Sequence, residues 1–131
     1  MKTYFELVTF TTQAGTSLHN ITPSVRRIVS ASGIGEGIVA ITSQHTTTAI
    51  TINEDEERLR EDIKHYFENP APADRPYQHN DIHLRDCDPD EPENAQSHLI
   101  AMLLGSSESV AVQGGDLLLG QWLSLMMIEL D

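Results

Sequence analysis

The sequence has 131 residues, which is the size of one domain. Its 8 Lys and Arg face 20 Asp and Glu, and a formal net charge of −12 excludes the basic surface that binding to nucleic acid or to an anionic membrane requires. A single cysteine and the lack of any apolar run near the roughly 18 residues of a membrane span lead us to expect a cytoplasmic protein. A small anionic substrate stays possible despite the acidic charge balance.

Hydrophobic periodicity and turn signals predict the secondary structure along the whole chain. Helices are predicted where apolar residues recur at helical spacing between end signals, such as Pro23 in a first turn and Gly33 just past a last turn. Strands are predicted from β-branched and aromatic runs between turn residues. In chain order, the predicted elements are a strand at residues 3–12, a turn at 15–20, a helix at 22–33, a buried strand at 35–44, a strand at 46–53, a helix at 55–69, a long loop at 70–92, a helix at 93–105, a strand at 108–113, a Gly-Gly turn, and a strand that continues to the end.

This order predicts an α+β domain over residues 1–131, with mainly antiparallel, β-sandwich-like sheets and about three helices. The last strand carries apolar residues on both faces, and we expect a subunit interface to cover one of them, because so small a domain has few elements to spare. The helix at 93–105 is predicted to turn four residues to the core: Ala95, Leu99, Met102 and Leu103.

The strand at 46–53 is predicted to separate an apolar face from a polar one, because side chains alternate along a strand. Ile50 and Ile52 are predicted to lie on the face that packs into the core. The opposite face is predicted to be polar and small, which leaves room beside it. Its members are His45, Thr47, Ala49, Thr51 and Asn53.

Three of the six histidines fall at positions from which their rings can converge. His45 lies at a strand end, His79 in the long loop, and His98 on a helix edge that it shares with Asn94. Imidazoles brought together in this way act as acids, bases or metal ligands. The alternative is that each histidine is an independent surface or core residue. A small anionic substrate of so acidic a protein would need such a cluster of His and Arg, or a divalent cation, to screen its charge.

The long loop also carries an acidic run, Asp86-Cys87-Asp88-Pro89-Asp90. It begins like a calcium-binding loop but lacks the glycine that the sharp turn requires. We interpret it as a solvated acidic loop, with a loose Mg²⁺ site as the alternative.

Four motifs taken together resemble those of the YjbQ family, which is often described as secondary thiamine-phosphate synthase. They are QHTTTAITINED, PYQHND, ENAQSHL followed by LLGSS, and GDLLLGQW, and they cover nearly the whole chain. The resemblance implies a compact, β-rich α+β fold and a homotrimer, with sites where subunits meet. It also implies that the residues matching the family motifs surround one polar pocket.

The resemblance implies an activity and a role for each matching residue. The activity is the coupling of a hydroxymethylpyrimidine diphosphate to a thiazole phosphate with release of pyrophosphate, as a weak or secondary activity. The implied catalytic residues are His45, His79 and His98. The implied substrate-binding residues are Thr47, Asn53, Glu54 and Asn94, and Glu54 would order a histidine or hold a metal.

The sequence also departs from the family pattern. Ile100 stands where the family tends to have a lysine, and Gln121 and Leu123 stand in a segment where the family tends to have Gly-Thr-Trp-Gln. Two alternatives to the transferase therefore stay open. One is a metal-assisted hydrolase or lyase in which His45, His79 and His98 bind a divalent ion such as Zn²⁺ or Mg²⁺. The other is a metabolite-binding trimer without catalysis.

Overall fold

The computed structural model describes all residues from Met1 to Asp131 and contains three helices and six strands. None of the helices has the length and apolar character needed to cross a membrane. Two short 3₁₀ turns, at Gln78–Asn80 and Ile82–Leu84, punctuate the predicted long loop. The elements are β1 (Ser17–Asn20), α1 (Thr22–Ser32), β2 (Gly37–Thr42), β3 (Thr48–Asn53), α2 (Glu57–Phe67), α3 (Ala95–Leu104), β4 (Ser107–Gln113), β5 (Asp116–Leu117) and β6 (Ser124–Glu129).

The strands form two antiparallel, three-stranded sheets, with orders β1-β6-β3 and β2-β4-β5. In the first sheet β6 is the central strand, with Leu18 of β1 and Ala49 of β3 both opposite Ile128. In the second sheet β4 is central and β2 lies at an edge. The α+β class, the antiparallel sheets and the three helices are confirmed.

Two apolar clusters cover opposite faces of the β1-β6-β3 sheet. One lies between the two sheets and α1, where Leu125 meets Val25 and Val110. The other lies beneath α3, where Met126 packs with Ile100 and other apolar side chains. The prediction that a subunit interface covers the last strand is wrong, because these layers of the same chain bury β6 on both faces.

The predicted strand at residues 3–12 is also wrong. Residues 1–14 are exposed over most of their length, adopt no regular structure and form no backbone–backbone hydrogen bond. The place beside β6 is taken instead by residues 17–20, within the segment predicted as a turn. A strand needs a partner edge as well as β-forming side chains, and the sequence pattern reports only the side chains.

The predicted core face of the third helix is wrong as well. Met102 is 74% exposed and Leu103 is 68% exposed, whereas Ile100 is 4% exposed. The helix is apolar nearly all round, so its periodicity does not select a face. It turns small side chains to the sheet, including Ala95 and Ala101, and these allow α3 to approach β3 closely.

Three strand predictions need correction in their details. The polar face of β3 is not open, because Ala49 is 0% exposed beneath α3, and His45 and Thr47 lie in a turn before the strand begins. The predicted buried strand, β2, has only one covered face, because no layer packs outside its sheet. The strand after the Gly-Gly turn stops at Leu117, because the chain then crosses to the other sheet, where β6 inserts between β1 and β3.

Candidate functional site

The structure brings His79 and His98 into contact. Their ring centroids lie 4.7 Å apart, with the rings at 70° to each other. His98 lies in the first turn of α3 and His79 in the first 3₁₀ turn of the long loop. The amide N–H of Ala95 donates to the side-chain oxygen of Asn80 at 3.1 Å. This hydrogen bond ties the loop to the N-terminus of the helix and so places the two rings side by side.

His45 approaches the pair from the turn between β2 and β3. Its Nδ1 lies 3.0 Å from the hydroxyl oxygen of Thr47, and its charge is close enough to affect the ionisation of His98. Thr47 is 1% exposed, and its carbonyl accepts the N–H of Leu130 at 3.1 Å. The turn is therefore fixed to the segment that follows β6. The three predicted histidines come from three separate elements, and we call this group the histidine cluster.

Two charged residues that the sequence did not single out complete the surroundings of the cluster. Nη1 of Arg85 donates to the carbonyl of His79 at 2.8 Å. The side-chain NH₂ of Asn94, which is buried, donates to the carboxylate of Asp131 at 2.5 Å. Arg85 is the one basic residue within its acidic stretch of the loop, and that contrast is the only sequence signal that marks it. No sequence signal marks Asp131.

The pKa of His98 is lowered, first by burial and second by the charge of His79, with smaller effects from Arg85 and His45. The carboxylate of Asp131 acts in the opposite direction and raises it. His98 is therefore a neutral imidazole near neutral pH, with one nitrogen free to accept a proton and one N–H to donate. An anion bound beside it would offset these positive charges and raise its proton affinity.

Asn53 and Glu54 lie away from the histidine cluster in this chain. They follow the far end of β3, and five residues of strand put Asn53 about 17 Å from Thr48. Asn53 instead lines an apolar groove of about 400 Å³ between α2 and the sheet, together with Tyr66 and Phe67. Of the seven predicted site residues, the structure brings together five and leaves out these two. The five are His45, Thr47, His79, Asn94 and His98.

The histidine cluster does not fit a three-histidine metal centre. No group of three or more His, Cys, Asp or Glu side chains in the structure is arranged to hold a metal ion. A zinc site needs its ligand nitrogens to converge at about 2.0–2.1 Å from one point, whereas His79 and His98 meet edge to face. The carboxylate residues of the acidic run, Asp86, Asp88 and Asp90, are all exposed, as in a solvated loop.

Ile100, which stands where the family tends to have a lysine, points into the core and not into the cluster. It is 4% exposed and packs with Ala49 and Met126. The residues at the other departures, Gln121 and Leu123, are both exposed, Leu123 at 45%. The departure at Ile100 therefore belongs to the packing of α3 on the sheet.

Known proteins resemble the chain in sequence and in fold. The profile of the family described as "UPF0047 protein YjbQ-like" matches residues 6–131. A UPF0047 protein of Methanothermobacter thermautotrophicus is 40% identical over 131 residues, which span all of this chain and 85% of the relative. A UPF0047 protein of Archaeoglobus fulgidus is 36% identical over 95% of this chain and 89% of the relative, and the UPF0047 protein YugU of Bacillus subtilis is 30% identical over 86% and 78%.

Solved structures give the same result. A YbjQ-like protein of unknown function from Sulfolobus solfataricus superimposes with a TM-score of 0.82 and 35% identity, over 93% of this chain and 82% of that one. A protein of the YjbQ/UPF0047 family from Clostridium acetobutylicum superimposes with a TM-score of 0.81 and 28% identity, over 93% and 87%. The predicted resemblance is confirmed, and the chain belongs to the YjbQ (UPF0047) family.

Proposed function

We propose that the protein is an enzyme that acts on a small, phosphate-bearing substrate at the histidine cluster. The observation that carries the proposal is the concentration of three imidazoles and the guanidinium of Arg85 at one place in a chain whose net charge is −12. A local group of cationic and hydrogen-bonding side chains attracts an anion even when the protein as a whole repels it. Arg85 suits a phosphate because its planar fork donates two parallel hydrogen bonds.

We propose further that the reaction resembles that of a thiamine-phosphate synthase, as a weak or secondary activity. A thiazole nitrogen would attack the methylene carbon of a hydroxymethylpyrimidine diphosphate. The new C–N bond forms from the nitrogen lone pair as the C–O bond breaks, and its electron pair leaves with pyrophosphate. The support for this reaction is the motif match and a group of donors beside the place where negative charge would develop.

Residues in and around the histidine cluster have separate roles in this proposal. Arg85 binds the diphosphate oxygens. Neutral His98 donates its N–H to the leaving oxygen, and its proton affinity rises as negative charge accumulates there. His79 holds the ring of His98 by edge-to-face contact, and the side chain of Asn94, oriented by Asp131, contacts the substrate. These groups stabilise the leaving group without a metal ligand set.

We also propose that the protein associates as a homotrimer. The support is a group of large apolar side chains that one chain leaves exposed, each by more than 60%: Ile38, Met102, Leu103, Leu118 and Trp122. In such an assembly, Asn53 and Glu54 would join a histidine cluster only from a neighbouring subunit, because β3 separates them from their own.

The test is an assay of thiamine phosphate formation from the two substrates by the purified protein. We expect His98→Gln and Arg85→Gln each to lower the rate by about 100-fold or more, the usual scale for a positioned acid–base or oxyanion group. His65→Gln is the matched control, because His65 is an exposed histidine of α2 that bonds only to the carbonyl of Glu61. Melting curves of all variants check that the fold is intact.

Two outcomes would overturn the proposal in different ways. If the protein forms no more product than the double variant His45→Ala, His98→Ala, the transferase activity is refuted. If the diphosphate substrate nevertheless raises the melting temperature, and His98→Gln abolishes that increase, the cluster is a metabolite-binding site without catalysis. Absence of both product and thermal shift would refute the phosphate site itself.

A further inference from the structure

The N-terminal arm, residues 3–12, has the side chains of a strand but no strand partner. Its aromatic residues remain exposed, at 48% for Tyr4, 83% for Phe5 and 42% for Phe10. None of its backbone N–H or C=O groups forms a backbone–backbone hydrogen bond. A segment of β-forming residues with unpaired backbone groups is ready to add to an open sheet edge.

Few contacts hold the arm to its own chain. Glu6 forms an ion pair with Arg27 of α1, and the hydroxyl of Thr12 donates to the carboxylate of Glu129 at 2.9 Å. Arg27 is 59% exposed, so salt and water weaken this ion pair. These contacts lie along α1 and at the end of β6, and no hydrogen bond joins the arm to β2.

β2 offers an open edge whose geometry follows from its pairing with β4. The N–H of Ser43 donates to Ser106, which makes this residue pair hydrogen-bonded. In an antiparallel ladder such pairs alternate. The residues whose N–H and C=O point away from β4 are therefore Ile38, Ala40 and Thr42. All three are exposed, and none of their N–H groups has a partner.

We propose that the N-terminal arm of one copy pairs, as an added strand, with the open edge of β2 in a second copy. One contact of this kind pairs the free backbone groups of the arm and the free backbone groups of the β2 edge at the same time. Pairing β2 with β2 of a second copy would leave the arm unpaired. The ten residues of the arm are long enough to cover the six residues of β2.

The apolar area supports the same assignment. The aromatic side chains of one arm are 48%, 83% and 42% exposed, which together amounts to about 1.7 whole side chains. At roughly 150–250 Å² for each aromatic side chain, one arm has about 260–430 Å² of aromatic surface left to bury against a partner. Ile38, which is 78% exposed at the edge of β2, supplies apolar surface for the arm to contact.

The contact joins an arm to a different surface, so it is a head-to-tail contact, and it forms a ring in which every arm and every edge is used once when the rotation between copies closes. β2 ends three residues before His45, so the added strand lies beside the turn that carries this histidine. The inference rests on the arm and the edge alone, and it stands whether or not the cluster is catalytic.

The first experiment measures the oligomeric state of the full chain by light scattering. We expect an oligomer for the wild type and a monomer for Ala40→Pro, because the proline removes an outward N–H while the bonds between β2 and β4 remain. Ala40→Ser keeps the N–H and is the matched control, which we expect to stay oligomeric. Cooperative melting of both variants checks that the sheet is intact.

The second experiment identifies the strand that occupies the edge. In a Cys87→Ser background, chains with Ala40→Cys are mixed with chains that carry Leu7→Cys, Val8→Cys or Thr9→Cys. Paired strands lie about 4.7–4.9 Å apart, which is within disulfide reach, so we expect at least one mixture to form a disulfide-linked pair of different chains.

Several outcomes would overturn the inference. They are a monomeric wild type at 100 μM, an oligomer that survives deletion of residues 3–12 or the Ala40→Pro change, and oxidation in which no mixture forms a link between chains. A chain that carries both cysteines and links only to itself would show that the arm pairs within one chain.

Discussion

Substitutions in α3 test which of its side chains face the core, because the sequence pattern and the structure disagree about that face. Ile100→Ala removes three carbon atoms from a side chain that is 4% exposed. At about 0.8 kcal/mol per buried methylene, the transfer term is about 2.4 kcal/mol. The cavity beside Ala49 and Met126 adds to it, so we expect a loss of about 2.5–4 kcal/mol in the free energy of unfolding.

Leu103→Ala is the matched control, since it removes three carbons from the same helix at a side chain that is 68% exposed. Its expected cost is below about 0.5 kcal/mol, as for other surface substitutions. Urea unfolding at several protein concentrations measures both values and separates any effect of association. Equal losses for Ile100→Ala and Leu103→Ala at every concentration would refute the observed orientation of α3.

The remaining predictions concern pH and backbone geometry. The pKa of His98 is lowered in the folded protein, so the unfolded state binds more protons once the pH falls below the ordinary histidine pKa near 6.5. The contribution of His98 to the free energy of unfolding is therefore complete above that pH and is lost below it. In unfolding experiments from pH 8 to 5, His98→Gln should flatten this decline, and an unchanged pH profile would contradict the assignment. Gly33 ends α1 at φ +61°, so Gly33→Ala should cost about 1 kcal/mol in thermal unfolding. Gly35→Ala should cost nothing, because φ there is not positive and a Cβ would meet no atom within 4 Å; equal losses at the two glycines would contradict this reasoning.

The sequence predicted most of the elements whose signals are local. The helices α1 and α2 and the strand β3 carry amphipathic or β-branched patterns between clear end signals, and the structure contains all three. Residues 3–12 carry an equally clear strand pattern, but a strand depends on a partner edge that local pattern does not report. The face of α3 was missed because a helix that is apolar nearly all round has no preferred direction in sequence.

The histidine cluster was predictable only in part. Spacing put Asn94 and His98 on one edge of a helix, and both lie at the start of α3. Arg85 lies beside the cluster because of the path of the long loop, and Asp131 because of the path of the segment after β6. No hydrophobic periodicity in the sequence predicts either path. The predicted continuity from His45 to Asn53 failed because the chain turns before Thr48, so one strand face became two separated sites.

The central position of β6 affects how the chain can fold during synthesis. β1 and β3 are made early, yet each pairs in this sheet only with β6, which is translated about 70 residues after β3. Until residues 124–129 leave the ribosome, both strands keep open edges, and the apolar face that β3 shares with α1 lacks Leu125 and Met127 of β6. A nascent chain is therefore most exposed to aggregation and to chaperone capture just before its last strand emerges.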